Sequence, residues 1–200
     1  MQLVRGLHNL RPHHRGCVAT IGNFDGVHRG HQAILARLRE RATELGVPSC
    51  VVIFEPQPRE FFAPDTAPVR LTRLRDKLEL LAAAGVDRVL CLAFNRRLRE
   101  LSAAEFVNTV LVNGLGVQHL EVGDDFRFGC DRAGDFGFLQ QAGLANDFTV
   151  EEAATVQRKL GAGLTTLGEL GDVHYGVTDK EEVWRDGKVV LYRFKGPRAP

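Results

Sequence analysis

The ten residues Gly22-Asn23-Phe24-Asp25-Gly26-Val27-His28-Arg29-Gly30-His31 follow a short apolar run, Cys17 to Ile21, and lead directly into a helical pattern. This order reads as a strand, a glycine-rich turn and a helix start. The glycines Gly22, Gly26 and Gly30 let the backbone turn sharply and approach a ligand closely. The free N–H groups and positive dipole end of the helix that follows favour an anion, and a phosphate is the obvious candidate. His28 and His31 are three positions apart at the helix mouth, so their side chains project to the same side. An imidazole can donate a hydrogen bond or carry a proton near neutral pH, which suits stabilising charge on a phosphoryl group in transfer.

A pair of histidines could instead decorate a solvent-exposed loop. That plain reading is the one expected of His8, His13, His14, His119 and His174, but not of a pair placed where strand, glycines and helix onset coincide. The glycine spacing is not Gly-x-Gly-x-x-Gly, and no Gly-x-x-x-x-Gly-Lys-Ser/Thr run occurs. No Cys-x-x-Cys accompanies the histidines, which argues against zinc and leaves no metal ligand assigned.

Working outward, Ile34, Leu35, Leu38, Ala42 and Leu45 place an apolar stripe at helical spacing, closed by Gly46 with Pro48 beyond. Cys50 to Phe54 is continuously apolar, as strands inside a parallel sheet are. Pro56, Pro58, Pro64 and Pro68 predict a long loop from Glu55 to Arg70 with no regular helix. Leu74, Leu78 and Leu81 predict a second helix with Thr72 as its cap, and Arg88 to Leu92 a third strand. Ser102 to Glu105 is a capping box opening a helix that buries Phe106, Val110 and Leu111 and ends at Gly114 and Gly116; His119 to Val122 is the fourth strand. Strand alternating with helix predicts a doubly wound α/β sheet, Rossmann-like, whose ligands bind at the C-terminal edge of the strands. The loops after the first, second and fourth strands meet there. The basic residues Arg73, Arg75, Lys77, Arg96, Arg97 and Arg99 read as solvated faces, with Arg70 set apart as a candidate contact. Phe61, Phe62, Phe126 and Phe128 are either core or a stacking surface for a flat ring.

The chain has 200 residues, 44% of them hydrophobic, with 26 basic against 25 acidic residues and a net charge of +1. This describes an ordinary globular protein and gives no support to a nucleic-acid or membrane surface. Cys17, Cys50, Cys91 and Cys130 form no close pair and read as thiols of a reducing compartment. The first residues contain no continuous apolar segment of the secretory type, so a cytoplasmic location is expected.

The wording Gly-x-Phe-Asp-Gly-Val-His-x-Gly-His resembles the nucleotidyltransferase superfamily with the His-x-Gly-His signature. Within it the chain is similar to the adenylyltransferase module of the bacterial bifunctional riboflavin kinase/FMN adenylyltransferase family, also called FAD synthetase. The similarity runs from about residue 1 to 156 and includes Phe54 to Phe61, Arg70-Leu71-Thr72 and Gly123 to Gly129. It implies adenylyl transfer from ATP, accompanied by Mg²⁺, to FMN, giving FAD and pyrophosphate. It also implies that His28 and His31 are catalytic and hold ATP phosphates in a cradle of Gly22, Asn23, Phe24, Asp25 and Gly26. Pro56, Pro58, Phe62, Asp124, Asp125, Phe126 and Phe128 would then hold FMN. Gln57 stands where many members have histidine, and Asp125 where some have asparagine.

Residues 157–200 depart from the family. A Ser-Ser-Thr-x-x-Arg segment is expected there; instead Arg158-Lys159-Leu160 is followed by Thr165-Thr166 without the arginine, and no riboflavin kinase module is expected in residues 157–200. The tail holds a hairpin signal, Asp186-Gly187 between strand-like runs, over about 182–194. Two alternatives stay open: a related nucleotidyltransferase with another phosphate acceptor, and a catalytically impaired flavin- or nucleotide-binding module.

Overall fold

The computed structural model describes residues 1–123, 126–153, 180–186 and 189–194. The chain divides into two compact units, Met1–Arg158 and Lys159–Pro200. The first holds six strands: β1 (Gln2–Arg5), β2 (Cys17–Ile21), β3 (Ser49–Glu55), β4 (Arg88–Ala93), β5 (Val117–Val122) and β6 (Thr149–Glu152). All pair in parallel in the order β1-β4-β3-β2-β5-β6. The longer helices are α1 (Arg29–Leu45), α3 (Leu74–Ala83) and α6 (Phe136–Asn146); the short ones are α2 (Pro58–Phe62), α4 (Arg96–Arg99) and α5 (Ala103–Phe106). Helix α5 continues as a π-wound segment, Val107–Leu115.

The central strands are apolar throughout because helices cover both faces. Successive side chains of β3 point to opposite sides. Val52 and Phe54 join Ala19, Leu90, Phe106, Leu111 and Leu120 in one core, while Val51 and Ile53 join Leu35, Leu38, Leu81 and Val89 in the other. The chain steps from β2 through α1 to β3 and through α3 to β4, then returns to place β5 on the other side of β2. Strand order therefore reverses at β2, and the crevice beyond the carboxyl ends of β2 and β5 is where such sheets bind ligands.

The doubly wound parallel architecture is as the sequence predicts; several details differ. Gln2–Arg5, taken as part of an opening loop, is an edge strand paired with β4. Pro58 begins a short helix inside the segment expected to be irregular: at the first helical position its missing N–H costs nothing, and Gln57 and Glu60 cap the turn reciprocally. Thr72 does not cap α3, whose N-cap is Arg73; its groups bond to Asp25 instead. The helix after the capping box runs past Gly114 to Leu115 and stops at Gly116, whose φ is 55°. His14 and His119 are buried rather than exposed, because each finds a partner: Arg11 N–H donates to His14 Nδ1, and His119 Nδ1 lies 2.7 Å from Thr149 Oγ1. Lys77, read as solvated, is fully buried.

In the second unit, β7 (Lys180–Asp186) and β8 (Val189–Phe194) pair antiparallel with Asp186 opposite Val189, the hairpin expected over about 182–194. His174, Asp124, Asp125 and the segment Arg158 to Thr166 lie outside the described residues. No helix among the described residues is long and apolar enough to cross a membrane.

Candidate active site

The turn after β2 is built from unusual backbone. Phe24, Gly26 and Val27 have φ of 48°, 71° and 37°. Glycine adopts this region freely, whereas a β-branched valine there is strained and persists only where its surroundings fix it. Here Val27 and Phe24 are buried, at 4% and 2% exposure, and the Gln32 side-chain amide donates to Val27 C=O at 3.0 Å. The side chain of Phe24 therefore belongs to the core beneath the turn, and anything it offers a phosphate comes from its backbone.

Helix α1 starts on this turn with His28 as its N-cap. His28 Nδ1 accepts the His31 N–H at 3.4 Å, so in neutral His28 the ring proton sits on Nε2, free to donate outward from an exposed side chain. The two rings stack with centroids 3.7 Å apart, and the ring of Phe24 lies tilted against that of His31 with centroids 4.8 Å apart. Burial, and then the neighbouring His28, push His31 down to a pKa of about 4, so it is neutral at neutral pH. The pair thus offers hydrogen-bond donors beside a helix N-terminus, the setting for an anion whose charge grows during reaction.

Asp25 is committed elsewhere. One carboxylate oxygen accepts Leu71 N–H at 2.8 Å; the other accepts Thr72 N–H at 2.9 Å and the Thr72 hydroxyl at 2.8 Å. Burial raises its pKa, but these hydrogen bonds with the Lys77 charge outweigh burial and hold it below the usual range. Among the described residues no three His, Cys, Asp or Glu side chains converge where they could hold a metal ion.

A cleft of about 720 Å³ opens beside the segment that follows β3. Among the described residues, Phe54, Phe62, Phe94, Phe106, Phe126 and Phe128 supply its aromatic lining, and Arg59, Arg99, Arg127 and Arg132 its cationic groups, with Asp131 as the one acid. One wall is the stretch from Pro58 to Pro68; another is the loop Phe126–Arg132, pinned by the bridge of Phe128 to Gly134. Phe62 is 58% exposed, meets Phe94 edge-on and carries the Arg99 guanidinium 5.4 Å above its ring. Phe128 is buried and stacks on Phe126 at 5.5 Å, so of these aromatics Phe62 is the free surface and Phe128 the support. The first wall is closed at its base by Arg70, which bonds both Glu55 oxygens at 2.6 and 3.0 Å and also pairs with Glu60.

Of the residues singled out in the sequence, Pro58, Phe62, Phe126 and Phe128 line this cleft, whereas Pro56 and the Gly22–His31 turn do not. Phe94, Arg59, Arg127 and Arg132 were not singled out, whereas Phe106 reads as core and Arg99 as a solvated face in the sequence, and both line the cleft. Phe94 directly follows β4, at the strand edge where ligands gather, and that position was the available signal.

A sequence model of the FAD synthetase family matches residues 10–162. The chain belongs to the FAD synthetase family. It is 78% identical over 157 residues to the bifunctional riboflavin kinase/FMN adenylyltransferase of Pseudomonas fluorescens, covering 78% of this chain and 50% of that protein. To the protein of the same name from Escherichia coli K12 it is 54% identical over 156 residues, with 78% and 50% coverage. To that of Haemophilus influenzae it is 51% identical over 152 residues, with 76% and 49% coverage. The chain spans about half the length of the curated relatives it matches. Among solved structures, the macrolide-efflux protein of Streptococcus pneumoniae superposes with a TM-score of 0.64 at 21% identity, over 76% of this chain and 49% of that one, a likeness of fold alone. Membership of the FAD synthetase family agrees with the resemblance carried by the His28–His31 motif.

Proposed function

We propose that this chain transfers the adenylyl group of ATP to FMN. A phosphate oxygen of FMN attacks the α-phosphorus of ATP, the bond to the β-phosphate oxygen breaks, and FAD and pyrophosphate leave. No protein nucleophile is needed, since the attacking oxygen already belongs to a phosphate; positioning and charge stabilisation suffice. The observation that carries this reading is an aromatic, arginine-rimmed cleft in a FAD synthetase domain whose first sheet–helix turn presents stacked His28 and His31.

In this reading His28 Nε2–H and neutral His31 donate to ATP phosphate oxygens at the N-terminus of α1, with the backbone of Gly22 to Gly26 as the cradle. Phe62 stacks on the flavin, backed by Pro58, Phe126 and Phe128; Pro56, Asp124 and Asp125 belong to the same proposed flavin loops. Magnesium comes with the nucleotide as MgATP, held by phosphate oxygens in the way this ion binds with few protein ligands. A cytoplasmic setting, where FMN and ATP are made and used, accompanies the proposal.

The test is pyrophosphate release from ATP with and without FMN, with FAD identified chromatographically. FMN-dependent release supports the reading. Release driven by a different phosphate acceptor moves the chain to another nucleotidyltransferase activity. Tight binding of FMN or ATP with no release makes it a binding module, the outcome favoured by the absence of the family's Ser-Ser-Thr-x-x-Arg segment.

A further inference from the structure

Two loops far apart in sequence are stapled together at the mouth of α1. Asp25 takes three hydrogen bonds from Leu71 and Thr72, and Gly26 N–H donates back to Thr72 Oγ1 at 3.0 Å. Thr72 thus donates and accepts, joining the phosphate turn at two successive residues. The Leu71 side chain lies over Gly26 so closely that a Cβ there would come within 3.0 Å of it, at a position whose φ of 71° already favours glycine.

Beneath the staple sits Lys77, on the first turns of α3. It is fully buried, and among the described residues its Nζ has no hydrogen-bond partner. Burial pushes its pKa down, opposed chiefly by Asp25 and then by Glu55, with Arg70 adding to the lowering. A buried, unpaired ammonium costs several kcal/mol on the order-of-magnitude scale for desolvated ions, so packing alone does not account for it. Its strongest opposite charges belong to the two loops, Asp25 in the phosphate turn and Glu55 at the start of the cleft wall. Glu55 is in turn bound by Arg70, the residue directly before Leu71 and Thr72.

The geometry points to Asp25, Thr72 and Lys77 as positioning residues that fix the phosphate turn against the wall of the aromatic cleft. Their side chains act through the backbone of Gly26 and through Arg70, and set the alignment of the two substrates without themselves contacting either. This assignment rests on the adenylyl-transfer reading for its kinetic consequence, and on the staple itself for its structural one.

Thr72→Val keeps the shape and removes both hydroxyl bonds. With the full chain, the variant is expected to lower kcat at saturating ATP and FMN by about 10- to 100-fold, the scale of a misplacement near 1 Å. FMN affinity, read by flavin fluorescence, should stay within about threefold, since no cleft-lining group changes. Thr72→Ser should restore kcat. Lys77→Met should show a loss of similar size, and the double variant should lose no more than the worse single one, because both interrupt one device. Wild-type kcat in Thr72→Val, or losses that multiply in the double variant, would overturn the assignment. Amide hydrogen exchange keeps it separate from the reaction. Exchange at Gly26, Leu71 and Thr72 should quicken in Thr72→Val whether or not the chain makes FAD. Unchanged exchange at these sites sinks the staple, whereas a wild-type chain that makes no FAD sinks the reaction instead.

Discussion

The ring of His31 lies against that of His28, centroids 3.7 Å apart and planes 21° from parallel, with the backbone N–H of His31 bonded to His28 Nδ1. The bond orients one imidazole through the backbone of the other and fixes the His28 tautomer, so the pair is a single pre-set donor unit. Preorganised donors of this kind stabilise developing charge without reorganising during the reaction.

His28→Ala should abolish FAD formation from FMN and ATP, a loss of about 100- to 1,000-fold or more on the scale of a removed charge-stabilising donor. Alanine also deletes the helix cap, worth about 0.5–2 kcal/mol, so the sharper variant is His28→Asn, whose side-chain oxygen can still accept the His31 N–H. Asn at this position should keep the melting temperature and lose the turnover. Near-normal FAD production by His28→Asn would reduce the ring to a capping group.

His31 should titrate far below an ordinary histidine, with a midpoint near 4 in a ring-proton NMR titration. The unfolded chain takes up this proton near 6.5 and the folded chain only near 4, so the folded state loses stability as pH falls between those values and keeps it above them. A midpoint at or above about 7 would mean that His31 carries substantial charge at neutral pH, against the neutral-donor mechanism.

Much of this site was legible because the strand, glycine turn and helix cap from Cys17 to His31 are local signals, and a continuous apolar strand such as β3 needs no partner to be recognised. What escaped was non-local. Gln2–Arg5 is too short to show alternation and becomes a strand only because β4 offers an edge. Lys77 occupies the buried helix position one turn before Leu81, yet a lysine in a helical stripe reads as solvent-facing unless its counter-charges, Asp25 and Glu55, are known to be near. Arg70 was singled out, but its role as a clamp depends on Glu55, fifteen residues earlier. Phe94 and Phe106 read as core or passed unnoticed, because whether an aromatic lines a cleft is decided by what the opposite wall leaves uncovered.

Phe62→Ala should raise the dissociation constant for FMN about tenfold, the equivalent of roughly 1.4 kcal/mol and within the range of one aromatic stacking contact. The KM for ATP should not follow. Phe61→Ala is the matched control: Phe61 neighbours Phe62 edge-on at 5.5 Å but does not line the cleft, and its loss should change FMN affinity less than about threefold. Equal effects of the two substitutions in a fluorescence titration would remove Phe62 as the stacking surface.

Glu121 is 2% exposed on β5, and burial raises its carboxyl to a pKa of about 7 despite Arg37, whose Nε is 3.3 Å away, with Glu151 and Glu40 adding to the rise. An unfolded glutamate ionises near 4.5. Its contribution is therefore complete below that pH and declines as pH rises to about 7, above which the fold carries a buried carboxylate. Glu121→Gln should melt higher than the parent at pH 8, by about 2–4 °C for each kcal/mol relieved. The difference should shrink on going to pH 5. A gap that stays constant with pH would show that the carboxyl does not titrate in this window.

Arg70 closes the base of the cleft wall through Glu55 and Glu60, and all three side chains are between about a fifth and a third exposed. Arg70→Met leaves two carboxylates facing each other with only the buried Lys77 as a nearby counter-charge, a cost between that of a surface pair and that of a buried one, about 1–2 kcal/mol. If local opening of the wall carries that cost, trypsin should cut after Arg59 roughly tenfold faster under native conditions, since cleavage follows the population of the open segment. The control is Arg75→Met, which breaks a pair with Glu79 whose side chains are 88% and 65% exposed and should leave the Arg59 cut unchanged. FMN should slow the cut in the parent by occupying the cleft that the wall encloses. Equal nicking of Arg70→Met and the parent, followed by mass spectrometry of the Arg59 product, would show that the wall is held by its packing against Phe94 rather than by the clamp.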